Sequence, residues 1–479
     1  MSANAAIIGG SVGGLATGIG LARHGWTVTV VERDPAPVTN DGDAAFVEWH
    51  RPHVPQWRQP HGFSSRTRNL LLANIPEVVE RLRDDGVDEI NLFTMMAPPE
   101  MHRPEDDQYA MLWSRRPGFE LALRREAEEQ PGLELRSPAI VAGLVLDCDG
   151  ETPTVRGIDL DDGTRIEADL VIDAGGRRSP VPKLLEEVGV EIPTDRQDCA
   201  GLYYSRYYRL RPDSQLHPIL LVGQRTGLDQ ANVVGFTGDH GTFGILVAPH
   251  AEATEFKLLR NDWAWDAFLR AHPRWAPWVD PANATPLTSV AFMGGHQNVL
   301  RHHVVDGRAL VHRLLPVGDS LCTTNPQYGW GASMALTYAF AAVDAATAHV
   351  GDPEAMAHAY HEVVRDEAGT VFAESAAMDR MQLREWTGAP TPPEDREAVD
   401  RQLLLRGVAA GATHHPALGR AQLRRGGLLE GWNDILDDPE VVEQARRSLG
   451  ILEGKVATGP SAEDLLRAVE AARPAVRGT

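Results

Sequence analysis

Lysine is almost missing from this 479-residue chain. Only Lys183, Lys257 and Lys455 occur, so arginine supplies nearly all of the 46 basic residues. The bias reflects a GC-rich coding sequence more than a function, and it points to a bacterial source. Cysteine is scarce too. Cys148, Cys199 and Cys322 are odd in number, widely spaced, and fit neither a zinc nor a disulfide pattern. A reducing, cytoplasmic location is expected. Long apolar runs are absent: stretches such as Ala335–Val343 fall far short of a membrane span. The opening residues Met1–Ile8 lack the charged start of a signal peptide. Positive charge is in deficit, with a formal net charge of −21. That argues against nucleic acid as a partner, because phosphate binding needs a basic surface. An apolar content of 43% leaves ample material for a large core and for two or three packed units.

Residues 4–34 read strand, glycine-rich turn, helix, strand. The apolar run Ala5–Ile8 meets Gly9-Gly10-Ser11-Val12-Gly13-Gly14, a helical pattern follows to His24, and Thr27–Val31 is β-branched before Glu32. Asn40–His61, rich in Pro, His and Trp without periodicity, predicts a long loop of the kind that usually carries function. Helices are expected over Ser64–Asp85 and from about Pro117. Short strands are expected over 139–171 with a turn at Asp161–Gly163, followed by Leu170-Val171-Ile172-Asp173. Gly201–Pro249 reads as an inserted antiparallel sheet and Trp263–Val279 as a proline-punctuated helix. A strand over Ala309–Leu315 enters Gly318-Asp319, and a long alanine-rich helix starts at Ala332. After Thr387 a Pro-rich linker leads into a helical tail. His50, His53 and His61 have no Cys or clear carboxylate beside them, so no metal is expected. His358 and His361 are expected on a solvated helix face.

The first glycine turn has a physical reading. A dinucleotide pyrophosphate sits where a helix N-terminus offers free N–H groups and the positive end of its dipole. Glycines permit the close approach, and an acid ending the second strand holds the ribose hydroxyls. Gly9, Gly14 and Glu32 occupy those places, flanked by Gly13 and Arg33, while Ser11 replaces the middle glycine. Glu32 repels a 2′-phosphate, which disfavours NADP in this pocket and favours FAD or NAD.

Four ordered segments decide between those two: Gly9–Gly14 with Glu32, Trp113–Glu120, Asp173-Ala174-Gly175-Gly176-Arg177-Arg178-Ser179, and Gly318–Gly331. With them the chain resembles FAD-dependent monooxygenases of the aromatic-hydroxylase class. The likeness is best to the squalene-monooxygenase and polyether-epoxidase branch and its bacterial natural-product relatives, a branch that Tyr204–Tyr208 also resembles. The resemblance implies an α/β fold: a discontinuous, Rossmann-like FAD-binding domain of the GR2 type (1–80, 110–190 and 290–385). It also implies an inserted, mostly antiparallel substrate domain (81–109 and 191–289) and a helical C-terminal region (386–479).

The resemblance further implies that Asp319, after Gly318, binds the ribitol chain and that Pro326 packs near the isoalloxazine. The backbone at Gly329, Gly331 and Ala332 faces the N1–C2=O edge, where a helix N-terminus stabilises an anion. Arg58 and Arg116 reach the FAD phosphates or bracket the flavin, and Asp173 and Arg177 lie beside the cofactor. FAD is expected to be non-covalent, with NAD(P)H as electron donor directly or through a partner flavin reductase. The implied reaction transfers one oxygen atom of O2, through a flavin C4a-hydroperoxide, to a mainly apolar small molecule. Dehydrogenation of a lipophilic substrate is the alternative, and a non-catalytic FAD-binding protein a more distant one. Halogenation is disfavoured: Trp263-Ala264-Trp265 continues as a helix, and no lysine occurs before residue 183.

On the Tyr203–Tyr208 strand, Tyr204, Arg206 and Tyr208 share one face, and Tyr203, Ser205 and Tyr207 the other. One set lines the substrate cavity with Phe236, Phe243 and Leu246, or else fills a sheet core. Tyr204, Phe236, Phe243 and Tyr328 are taken as the substrate candidates.

Overall fold

The computed structural model describes residues 3–221, 224–453 and 459–474. Its centre is a five-stranded parallel sheet in the order Leu314–Pro316, Leu170–Asp173, Asn4–Ile8, Thr27–Val31, Leu133–Arg136. Both faces are covered, which is why these strands read as nearly unbroken apolar runs. Ala5, Ile7, Val28 and Val30 pack against helices, including Val12–Arg23 and Gly331–Ala348. Ala6, Ile8, Val31 and Val171 turn to the opposite face. There Val155, Ile158 and Leu160 of a small antiparallel sheet (Val141–Asp147, Thr154–Leu160, Arg165–Glu167) close the third layer.

A six-stranded antiparallel sheet stands beside this core. Arg225–Gly227, Ala231–Thr237, Thr242–Pro249 and Tyr203–Leu210 follow in order, and Ala284–Pro286 and Ala291–Met293 both pair with Tyr203–Leu210. One face is sealed by the Asp262–Ala271 helix, whose Trp265 and Phe268 pack on Tyr204, Tyr208, Phe243 and Val247. The Trp265 indole N–H donates to the Tyr208 hydroxyl at 2.7 Å. Ala462, Leu465 and Val469 of the Ala462–Ala471 helix join the same cluster.

The expected elements depart from the structure at three points. Asn40–His61 is not all loop: Gly42–Glu48 is helical, capped by Asp41, whose carboxylate accepts from Ala44 N at 2.8 Å. Seven residues make too few turns to show a period. Ser64–Asp85 is two helices, Ser65–Asn74 and Pro76–Asp84, because Pro76 lacks the N–H that would continue the first. Ala309–Leu315 is interrupted as well. Arg308–Ala309 pairs with Val304–Val305, Arg313 turns the chain at φ +60°, and only Leu314–Pro316 joins the large sheet. The helical tail is present, in five helices from Arg396–Gly411 to Ala462–Ala471 among the described residues. Among these residues no helix is long and apolar enough to cross a membrane.

The first helix can start against the first strand only because two residues lack a Cβ. A Cβ on Gly14 would lie 1.9 Å from the Gly9 carbonyl oxygen, and one on Gly9 (φ +103°) would lie 2.4 Å from that of Ala174. Gly14→Ala should therefore destabilise the fold by about 3 kcal/mol, as backbone-limited overpacking does. Gly369→Ala, mid-helix with nothing within 4 Å, should stabilise it by about 0.5 to 1 kcal/mol. Urea denaturation of the two variants checks both signs; equal midpoints would refute the close-approach argument.

Candidate cofactor and substrate site

A cavity of about 420 Å³ opens beyond the C-terminal ends of the parallel strands, the usual ligand position in such sheets. Its wall runs from Glu32, Arg33 and Ile140, past Gly9, Ser11, Val12, Gly13 and Asp319, to Pro326, Gly329, Gly331 and Ala332, and on to Tyr203, Phe236, Leu246 and Met293. It joins the large sheet to the six-stranded one.

At the first turn, the Val12–Arg23 helix begins its internal bonding with Leu15 N to Ser11 O at 2.9 Å. The N–H groups of Val12, Gly13 and Gly14 find no acceptor among the described residues. Glu32 is oriented by backbone donors: Oε2 accepts from Gly10 N at 2.9 Å and Oε1 from Asp34 N at 2.8 Å. Its remaining partner is Arg51, which the sequence reading missed. The Arg51 guanidinium is buried between Trp49 and Trp57, 5.5 Å from each ring, and pairs with Glu32 and Glu120. Arg58, the arginine expected here, turns away: its Nη2 donates to Val47 O at 3.0 Å, and it does not line the cavity. Successive tight turns over Arg51–Gln59 bury Trp57 and carry Arg58 outward.

Arg116 does line the cavity. Its Nη2 donates to Ser11 Oγ at 3.0 Å and its Nε to Glu120 Oε1 at 2.7 Å, while Ser11 Oγ donates to the same Glu120 oxygen at 2.7 Å. Ser11 is thus a tether and not merely a defective glycine. Burial drives the Glu120 carboxyl upward, yet Arg116, Arg51 and the Ser11 hydroxyl together hold it below its ordinary range. His61 Nδ1 donates to Gln59 O at 2.8 Å, and Nε2 faces Arg116 Nη1 at 3.2 Å as an acceptor. Burial and the Arg116 charge push its pKa down to about 3. His61 is neutral.

The second turn presents a carboxylate. Gly318 takes φ +65°, and Asp319 follows on the cavity wall. No donor among the described residues bonds its carboxylate oxygens. Burial raises its pKa against the pull of Arg116, Arg177 and Arg301. Arg177 is also on the wall, donating Nη1 to His296 Nδ1. Asp173 is a correction. It is 1% exposed, does not line the cavity, and staples the strand end: Oδ1 accepts from Gly175 N and Ser320 Oγ, both at 3.0 Å, and Oδ2 from Ser179 Oγ at 2.8 Å. It shapes the turn that carries Asp319.

Beyond it, Gly329 at φ +73° ends the Pro326–Tyr328 turn. The Gly331–Ala348 helix then starts without a side-chain cap, leaving the N–H groups of Gly331, Ala332 and Ser333 without acceptors among the described residues. Tyr328 turns the other way and bonds Asp379 Oδ1 at 3.1 Å, so it is no part of the cavity wall.

Strand register settles which aromatic residues meet the cavity. Tyr208 pairs with Phe243 and Tyr204 with Val247, on the sealed face; their rings and Trp265 form the core. Tyr204 and Phe243 are therefore packing residues, and the expectation that they line the cavity is overturned. Tyr203, Phe236, Leu246 and Met293 look the other way and line it. His296, also on the wall, contacts the Tyr203 ring at 5.5 Å; burial and Arg177 push its pKa down to about 4.

The donor set fits FAD. Two uncapped helix starts suit a pyrophosphate and an anionic ring edge, the unpartnered Asp319 carboxylate suits ribityl hydroxyls, and Glu32 suits ribose. The cradle is shaped closely: a Cβ on Gly13 would lie 2.9 Å from Val317 Cγ1.

Comparison with known proteins agrees. Residues 2–199 match the family model described as an FAD binding domain. Protein Rv3254 of Mycobacterium tuberculosis is 26% identical over 351 residues, covering 69% of this chain and 70% of its own. Among solved structures, PqsL of Pseudomonas aeruginosa, described as a probable FAD-dependent monooxygenase, aligns with TM-score 0.55 at 13% identity, over 81% of this chain and 100% of that one. The flavin-dependent brominase Bmp2 aligns with TM-score 0.57 at 16% identity, over 95% and 98%. The fold is the one these flavin enzymes share, with an FAD-binding domain at its core. These matches do not single out the squalene-monooxygenase branch.

Two outcomes follow. Asp319→Ala should raise the FAD dissociation constant about tenfold or more, the loss of a charged hydrogen bond, while Arg58→Ala leaves it within about twofold. Titration of FAD into the apo-proteins, followed by flavin fluorescence, measures both. Second, His61 and His296 have native pKa values of about 3 and about 4, below their unfolded value. The unfolded state then binds the extra protons, so stability falls as pH drops from about 6.5 to 5, by up to about 1.4 kcal/mol per pH unit for each histidine. His296→Gln should flatten that slope in urea midpoints taken at pH 7, 6 and 5; an unchanged slope would place its titration elsewhere.

Proposed function

We propose that this protein is an FAD-dependent monooxygenase that hydroxylates or epoxidises a mainly apolar small molecule, with NAD(P)H as the electron source, directly or through a reductase. The observation that carries the reading is continuity: one cavity holds the dinucleotide cradle and, at its far end, an apolar wall of Tyr203, Phe236, Leu246 and Met293. Ligand pockets are mostly apolar with a few placed polar groups, and they favour the junction between packed units.

Bound FAD supplies the redox chemistry and the activation of O2. The protein's share is binding, orientation and dryness. The N–H groups of Val12–Gly14 would hold the pyrophosphate, and the Asp319 carboxylate would hold the ribityl hydroxyls. The uncapped N-terminus of the Gly331–Ala348 helix would stabilise negative charge on the flavin ring. Arg116 and Arg177 bring positive charge to the same wall. Phe236, Leu246 and Met293 exclude water from the reacting face, which favours transfer to substrate over loss as hydrogen peroxide. Bmp2, described as a flavin-dependent brominase, shares the fold, so bromination is the reading that the product test must separate from oxygen transfer.

The test is the product. The FAD-loaded protein, given NADH or NADPH, 18-oxygen gas and a panel of polycyclic phenols and alkenes, should yield a product carrying one heavy oxygen. A product formed equally well without oxygen would assign dehydrogenation, and a brominated product in bromide buffer would assign halogenation. Phe236→Ala should raise hydrogen peroxide released per NAD(P)H consumed severalfold without a change in FAD affinity. Phe243→Ala should instead lower thermal stability, by about 3 to 5 kcal/mol of folding free energy, because its ring lies in the sealed core.

A further inference from the structure

The loop that meets the ring end of the cavity is held from behind by a buried carboxylate outside the cavity wall. Asp379, near the C-terminal end of the Pro353–Thr387 helix, is 2% exposed. Its Oδ2 accepts from Asn298 Nδ2 at 2.8 Å, and its Oδ1 from Asn325 Nδ2 at 2.5 Å and from the Tyr328 hydroxyl at 3.1 Å.

Backbone groups fix the direction of these bonds. Asn325 Oδ1 accepts from Gln327 N at 3.0 Å, so the amide nitrogen of Asn325 is the atom turned to Asp379. Asn298 Oδ1 accepts from Asn325 N at 2.8 Å and from Ser375 Oγ at 2.6 Å, which leaves its nitrogen for Asp379 as well. Each of these three partners is thus a donor, and the site is built for an acceptor-only group. Asn325 Oδ1 has one further partner, the hydroxyl of Tyr203, whose ring lines the apolar end of the cavity. Pro326 comes next in the chain and lines the cavity too. One relay therefore runs from the apolar wall through Tyr203 and Asn325 to Asp379, with the ring-facing loop attached at its middle.

We propose that Asp379 is the positioning residue of the ring-facing loop, and that the Tyr203–Asn325 bond couples that loop to the substrate wall. The inference rests on the FAD reading above. Its physical basis is that a fully satisfied buried polar network fixes one geometry, whereas a half-satisfied one does not. Because Asn325 is held on both sides, Pro326 and the helix start at Gly331 meet the cofactor in a single arrangement.

A cycle of reversals tests this. Asp379→Asn sets an amide nitrogen against that of Asn325, donor against donor. Asn325→Asp sets two carboxylates together. The double variant reverses the bond between positions 325 and 379, and the new carboxylate still accepts from Gln327 N and Tyr203; the Tyr328 hydroxyl, which donates to Asp379 Oδ1 in the native chain, then turns to accept from the new amide nitrogen. Each single change should raise the FAD dissociation constant about tenfold, one hydrogen bond's worth of coupling, and blur the vibronic structure of the bound flavin's visible band. The double variant should recover native affinity to within about threefold, together with the native band shape.

Tyr203→Phe keeps the ring and removes only the hydroxyl; it should weaken FAD binding about threefold and shift the same band. Losses in the double variant equal to the product of the single losses would overturn the proposal. So would native affinity and band shape in a folded Asp379→Asn. If Asp379→Asn fails to fold, Tyr203→Phe decides, and native flavin properties there overturn the coupling. Absence of FAD binding by the unaltered protein would instead defeat the cofactor reading itself.

Discussion

The structure depends on a backbone contact with no side chain in it. The first helix begins in van der Waals contact with the strand end, because neither Gly9 nor Gly14 carries a Cβ. That approach leaves the N–H groups of Val12, Gly13 and Gly14 without an acceptor among the described residues, the first two residues standing on the cavity wall, and brings Glu32 within reach of Gly10 N. The acidic and basic groups around it are arranged to suit. Arg51 joins Glu32 to Glu120, and Glu120 joins Ser11 to Arg116, so the turn, the second strand and the Arg116–Glu129 helix are locked together. Such buried ions would be costly alone; each here has its partners.

Local features were legible in the sequence and long-range ones were not. The strand–turn–helix–strand at residues 4–31 and the Gly318-Asp319 turn are specified by neighbours in sequence, and the structure places them as expected. Asp173 was legible as a motif member, but its position relative to the cavity was not, because Ser320, 147 residues away, completes its bonding. The arginine of the 51–58 loop was misassigned because Arg51 and Arg58 look alike in a chain with so many arginines. Only the packing of Trp49 and Trp57 separates them.

The antiparallel sheet shows the same limit differently. Alternation divided Tyr203–Tyr208 correctly into two faces, but nothing local says which face a neighbouring helix covers. Register does: opposite Tyr208 stands Phe243, and opposite Tyr207 stands Gly244, where a Cβ would lie 2.6 Å from Pro60. Grouping Phe236 with Phe243 ignored that adjacent strands set their own phase. Asp379 was invisible for a related reason, since it serves Asn325 across 54 residues.

The two faces of this sheet answer to different demands. Tyr204, Tyr208, Phe243 and Trp265 are committed to a sealed core, whereas Phe236, Leu246 and Met293, on the same strands or their neighbours, border open space. Because alternate residues point opposite ways, a change at one of the latter need not disturb the former. A lineage can then vary the shape of its pocket one position at a time without first repairing the fold. The sheet thus separates heritable change in ligand preference from heritable change in foldability, and a library confined to those outward positions would inherit the same freedom.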